Sequence, residues 1–226
     1  MVLPPVLLVH GFGSSFDHGW VRHGWDMLLA DQGRPVIGVD LLGHGTSPKP
    51  ILADAYAGTD DLVASSVDGI AELDAVGFSA GAMVLLRLLS RGTLPVRRAA
   101  LLGVGDGALE PRASPEELVA GLQPGVPRSI DPQIAAFQRL AADPRNDPRA
   151  LAAFLQGQPP LQVDGLGGIT AEMLLVVGDR DPAGPVDRMA GTLPHAVGLT
   201  VPGMDHFSTP SNVVVIERVL KFLGPP

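Results

Sequence analysis

Val76-Gly77-Phe78-Ser79-Ala80-Gly81-Ala82 is the stretch on which the reading of this chain turns. Before it, Leu73-Asp74-Ala75-Val76 is a short, mostly apolar run. After it, Met83-Val84-Leu85-Leu86-Arg87-Leu88-Leu89 is helix-forming and almost wholly apolar. A G-x-S-x-G pattern therefore falls where a strand should turn sharply into a buried helix, the context of a nucleophile elbow. Side chains two positions either side of the serine would clash in so tight a turn, and Gly77 and Gly81 remove them. The serine hydroxyl should stand clear of the sheet, with a helix N-terminus behind it that favours negative charge. In a chain with 28 glycines the pattern alone is weak evidence, so the flanking sequence has to support it.

Outward from the elbow, apolar runs recur at residues 6–10, 35–40, 99–104, 173–178 and 198–201. These predict strands, several of them buried on both faces. Helical patterns alternate with them at 25–30, 59–72 and 213–223, and a short helix should start at Pro185. Thr59, and later Thr209-Pro210, read as helix N-caps. Gly92 reads as the stop after the elbow helix. The alternation predicts an α/β fold, a doubly wound and mostly parallel sheet of about six strands with helices on both faces.

Between about residues 106 and 168 the composition changes to Pro, Gly and Gln. Ser114-Pro115-Glu116-Glu117, Asp131-Pro132 and Asp147-Pro148 are three helix-start signals, placing helices near 115–123, 132–142 and 148–156. Their apolar residues Leu118, Leu122, Ile134, Phe137, Leu140, Phe154 and Leu155 could face the main body. A strand-to-strand crossover needs only about 10–12 residues. The expectation is a single domain over 1–226 carrying a small helical lid. Because the lid helices carry apolar residues that could face the site, a preference for uncharged acyl groups is expected.

The composition limits what else the chain could be. Its 226 residues are 46% hydrophobic, enough for one domain with a sizeable core. The net charge is −8 with scattered Lys and Arg, so no nucleic-acid or membrane partner is expected. There is no cysteine, hence no disulfide, thiolate metal site or thiol nucleophile. The histidines lack metal-ligand spacing, and neither a metal nor a cofactor is expected. Met1-Val2-Leu3-Pro4-Pro5 has no basic leader and no apolar run is long enough to span a membrane, so the expected location is cytoplasmic.

Every polar loop follows a strand, so in a parallel sheet these loops converge at the carboxyl edge. The His10-Gly11-Phe12-Gly13 loop, Asp40-Leu41-Leu42-Gly43-His44-Gly45-Thr46-Ser47, the elbow, Gly178-Asp179-Arg180-Asp181 and Gly203-Met204-Asp205-His206-Phe207 come in the order found in the α/β-hydrolase superfamily. The chain resembles that family over nearly its whole length. It departs in having no hairpin before the first matching strand, in fewer strands, and in Phe78 where relatives often carry His. The resemblance implies Ser79 as nucleophile, His206 as general base and an aspartate to orient the imidazole. The backbone N–H groups of Phe12 and Ala80 would hold the oxyanion. Asp181 fits the family spacing from Gly178 and is the expected acid, while Asp179 and Asp106 compete for the role. Asp205 adjoins His206 too closely in sequence to reach its far nitrogen easily.

His10 and His44 are expected to be structural, His18 and His23 solvated or pocket-lining, and Trp20 and Trp25 packing anchors. The implied activity is hydrolysis of a small or medium carboxylic ester through an acyl-enzyme, with a small-molecule ester as partner. The same residues would serve a thioesterase, lactonase, perhydrolase or acyltransferase, or a slow-turnover small-molecule binder. Relatives that cleave haloalkanes or epoxides carry Asp at the position of Ser79.

Overall fold

A computed structural model describes residues 3–109, 115–123 and 125–224. In chain order the elements are β1 (Val6–Val9), α1 (Phe16–Gly19), α2 (Trp25–Asp31), β2 (Val36–Val39), α3 (Thr59–Ser65), β3 (Leu73–Phe78), α4 (Ala80–Ser90) and β4 (Val96–Leu102). There follow α5 (Pro115–Gly121), α6 (Pro132–Ala141), α7 (Pro148–Gly157), β5 (Glu172–Gly178), α8 (Asp187–Thr192), β6 (Ala196–Val201) and α9 (Val213–Leu223). The strands form one parallel sheet in the order β2-β1-β3-β4-β5-β6. The order reverses at β1, so β1 and β3 lie side by side, and the loops after them face each other at the carboxyl edge.

Alternation along the strands supplies two cores. Val6, Leu8, Val76, Ala100 and Val176 face α2 and α9, where Trp20 and Trp25 are fully buried and meet edge to face at 5.2 Å. The Trp25 indole also donates to the Pro210 carbonyl at 2.7 Å. Both tryptophans are packing anchors. Leu7, Val9, Ala75, Leu101 and Leu175 face the other way, onto α3, α4 and α8. Helices thus cover both faces, as the alternating sequence pattern requires. Among the described residues no helix is long and apolar enough to cross a membrane.

The helix boundaries depart from expectation in several places. α3 stops at Ser65 rather than near residue 72. The hydroxyls of Ser65 and Ser66 donate to the carbonyls of Leu62 and Val63, and Gly69 then turns the chain at φ +80°. Thr59 is the first residue of α3 and not its cap, because Gly58 holds that position and the Thr59 hydroxyl donates to the Tyr56 carbonyl. α9 is capped by Asn212, whose side chain accepts from the Val214 N–H at 2.9 Å, while Thr209–Ser211 forms a separate turn. α8 begins two residues after Pro185. α1, capped by Ser15, was not anticipated.

Between β4 and β5 lie α5, α6 and α7. Asp131 and Asp147 cap α6 and α7 with proline at the first position. Ser114 lies outside the described residues. Leu118, Leu122 and Phe154 are buried, and Phe137, Leu140 and Leu155 pack against the core while half-exposed. The Asn146 amide donates to the Gly13 and Leu140 carbonyls at 2.8 and 3.0 Å. Phe12 packs on Phe137 at 4.7 Å between ring centres. The helices between β4 and β5 are therefore anchored directly over the loop that follows β1.

Candidate active site

Ser79 caps α4 at the end of β3 with φ +51° and ψ −112°, the sole positive φ outside glycine among the described residues. L-residues rarely occupy this region, so the surrounding packing must hold the backbone there. A Cβ at Gly81 would fall on the Val9 and His10 carbonyls, and one at Gly77 would lie 2.8 Å from the backbone of Ala82. The two glycines let β3, β1 and α4 approach closely enough to hold the turn.

His206 lies on the loop after β6. Its Nδ1 donates to both carboxylate oxygens of Asp181 at 2.9 Å, and its Nε2 stands 3.0 Å from the Ser79 Oγ. The carboxylate fixes the proton on Nδ1 and leaves Nε2 free to accept from the serine hydroxyl. Asp181 is buried and also accepts the Ala183 N–H at 2.8 Å. The imidazole sits between Phe78, 4.9 Å away and tilted by 38°, and Phe207, 5.5 Å away and nearly perpendicular. Gly103, after β4, makes the space: a Cβ there would lie 2.9 Å from His206 Cε1 and 2.8 Å from Phe78. A glycine at the carboxyl end of a central strand is the sequence signal for this space.

The competing carboxylates are engaged elsewhere. Asp106 accepts the Met189 N–H at the start of α8, at 2.8 Å. Asp179 accepts the Gly203 N–H at 2.7 Å. Asp205 accepts from the Ser208 N–H and hydroxyl, and these bonds hold its carboxyl below the usual range.

Phe12, Ser79, Ala80 and His206 all line one cavity of about 900 Å³, with Phe137 and Leu155 across from them. Ala80 opens α4, so its N–H has no acceptor within the helix.

The remaining histidines are built into the scaffold or lie at its surface. His10 is fully buried; Nδ1 donates to the Gly11 carbonyl at 2.8 Å and Nε2 accepts the Leu41 N–H at 3.1 Å. Burial pushes its pKa down to about 4. His44 is also fully buried, bonded to the Leu42 carbonyl at 3.0 Å, and burial aided by His10 lowers it to about 3. His18 is half-buried and stands 3.2 Å from the Arg145 guanidinium, while His23 is exposed. Among the described residues no three His, Asp or Glu side chains gather as a metal-binding cluster.

Comparison with known proteins gives a consistent result. A family model described as "Alpha/beta hydrolase family" matches residues 6–217. No curated protein matches the sequence. Among solved structures, a thermophilic esterase from Thermogutta terrifontis is similar with a TM-score of 0.70 at 20% identity, covering 97% of this chain and 89% of that one. An esterase from Rhodococcus superposes with a TM-score of 0.68 at 22% identity, covering 98% and 90%. An enol-lactonase from Burkholderia xenovorans gives 0.70 at 18%, covering 98% and 91%. At such identities the likeness is one of fold.

Proposed function

The chain belongs to the alpha/beta hydrolase family, and from that premise we propose that it is a serine hydrolase that cleaves a small or medium carboxylic ester. The observation that carries this reading is the line of contacts from Ser79 Oγ through His206 to Asp181, at 3.0 and 2.9 Å, on a backbone forced to φ +51°. An isolated serine hydroxyl is a poor nucleophile and needs a base within hydrogen-bond reach. Ser79 Oγ attacks the ester carbonyl carbon while its proton passes to His206 Nε2. The Asp181 carboxylate stabilises the imidazolium and keeps the ring oriented. The tetrahedral oxyanion is held by the N–H groups of Phe12 and Ala80. The intermediate then expels the alcohol, which takes the proton from His206. Water, activated by the same imidazole, attacks the acyl-enzyme and releases the acid.

The cavity, roofed by Phe137 and Leu155, gives the acyl group an apolar environment, and in this reading the helices between β4 and β5 serve as the lid. The test is a fluorophosphonate probe with tandem mass spectrometry, together with hydrolysis of chromogenic esters. Labelling confined to Ser79 is expected, and Ser79→Ala should fold while losing nearly all turnover. Labelling elsewhere, or full activity in the alanine variant, overturns the assignment.

A further inference from the structure

The cavity that holds Ser79 has an apolar interior and a rim that carries three arginines. Arg128 and Arg139, from the segment between β4 and β5, and Arg180, from the loop after β5, all line it and are exposed. Several other arginines are matched to carboxylates: Arg34 and Arg97 with Asp74, Arg87 and Arg91 with Asp60, Arg98 with Glu172, Arg145 with Asp143. Arg128, Arg139 and Arg180 have no carboxylate partner among the described residues. The carboxylates lining the same cavity, Asp181, Asp179 and Asp205, keep their charge but make no ion pair with these guanidiniums; they are bonded instead to His206, Gly203 and Ser208. Three guanidiniums thus stand around one opening with no ion-pair partner among the described residues, their N–H donors free to meet an incoming anion.

The position of one of them is fixed. The Arg139 guanidinium stacks over the Phe207 ring at 5.2 Å, and that ring is in contact with the His206 imidazole at 5.5 Å. An anion that meets Arg139 would lie one aromatic ring beyond the base, while the scissile carbonyl sits at Ser79. The apolar helices of the insertion favour uncharged acyl groups, but Arg128 and Arg139 of the same insertion stand at the cavity itself.

We propose that the substrate of this site is an ester with an anionic group at the end remote from the scissile bond, a carboxylate or a phosphate. Its apolar middle lies along Phe12, Met83, Phe137 and Leu155, and its anion meets the rim of Arg128, Arg139 and Arg180. Guanidinium forks match both oxyanion types. This rests on the serine-hydrolase reading of the preceding subsection.

The experiment compares matched esters at low and high salt. The carboxylate arm sets p-nitrophenyl monoadipate against p-nitrophenyl hexanoate, which differ by a carboxylate in place of the terminal methyl. The phosphate arm sets a butanoate ester of glycerol phosphate against monobutyrin. In at least one arm the anionic ester should have the higher kcat/KM, by about tenfold at low salt, the size of several screened charge contacts acting together. The ratio should shrink as salt shortens the range of the field. In Arg128→Gln/Arg180→Gln, which spares the Phe207 stack, the ratio should fall severalfold, and the corresponding Lys variant should restore most of it.

Ratios of one or less in both arms, or ratios untouched by salt and by the double variant, overturn the proposal while Ser79 labelling leaves the hydrolase reading intact. If Ser79 is not labelled and no ester is cleaved, the hydrolase reading falls instead. Calorimetric binding of the two adipate and hexanoate methyl esters to the Ser79→Ala protein then decides the anion preference without turnover. Ratios of one together with co-sedimentation on phosphatidylglycerol vesicles would assign the rim to a lipid surface, and this too overturns the proposal.

Discussion

At the scale of single residues, Asp181 and Asp106 are distinguished by what each carboxylate holds. Asp181 grips the far nitrogen of His206, whereas Asp106 accepts one backbone N–H at the start of α8. An Asp181→Asn amide keeps the shape but offers the imidazole a donor, which favours the wrong tautomer; the serine-protease precedent for this loss is about 10⁴ in kcat. Asp181→Asn should therefore lose several orders of magnitude in ester turnover, while Asp106→Asn, which retains an acceptor oxygen, should stay within a few fold. The reverse ranking would move the acid to the loop after β4. Ser79, Gly77 and Gly81 were legible in the sequence because the elbow's geometry forbids most other residues there. The preference for Asp181 over Asp106 and Asp179 rested on the family's spacing from Gly178, because sequence order fixes which strand a side chain follows but not which neighbour it bonds. The same limit hid Gly103 and the outlook of Arg128, Arg139 and Arg180.

At the scale of elements, apolar runs made all six strands readable: β1, β3, β4 and β5 are largely buried on both faces, which admits little else, and the edge strands β2 and β6 keep apolar residues although they are mostly half-buried or exposed. Helix ends were less readable. Asp60 and Asp61 both lie in the first turn of α3, where acidic residues are favoured, yet only Asp61 is solvated. Asp60 is buried and bonded twice to Arg87 of α4, at 2.8 and 2.7 Å, and Arg87 in turn reaches Gln158 at the end of α7 at 2.9 Å. This joint ties the helix behind the elbow to α3 and to the last helix over the cavity. Removing one partner of a buried pair leaves the other charge uncompensated, at a cost of about 3–5 kcal/mol. Arg87→Met should fall toward the lower end of that range, because Arg91 still reaches Asp60 at 3.3 Å. Adding Asp60→Leu should recover much of the loss. Urea unfolding of the single and double variants measures both; a double variant as weak as the single would show that packing and not charge is at stake.

At the scale of the whole molecule, two buried imidazoles couple the fold to pH. In the folded protein burial pushes His10 from 6.5 to about 4 and His44 from 6.5 to about 3, so both stay neutral there. The unfolded chain takes up these protons as soon as the pH drops below about 6.5, so it binds more protons than the native state. The stability from keeping them neutral is complete above that value and is lost as pH falls toward 4. The urea midpoint should decline steadily over this window, and His44→Phe should flatten the decline. An unchanged slope in that variant would exclude His44 as a source.

The turn at Ser79 has a consequence of a different kind. A backbone at φ +51° suits glycine, and holding an L-residue there costs on the order of 1–3 kcal/mol. Glycine's extra freedom in the unfolded chain offsets about 0.5–1 kcal/mol of that gain. Ser79→Gly should therefore unfold at higher urea than Ser79→Ala, which keeps the strain, and equal midpoints would mean the turn is relaxed. The folded state is thus shallower than this chain length allows, and the difference is concentrated at one position. In a duplicated copy released from selection on the hydroxyl, mutation would be expected to run downhill toward glycine there, leaving a sturdier protein with nothing to attack with.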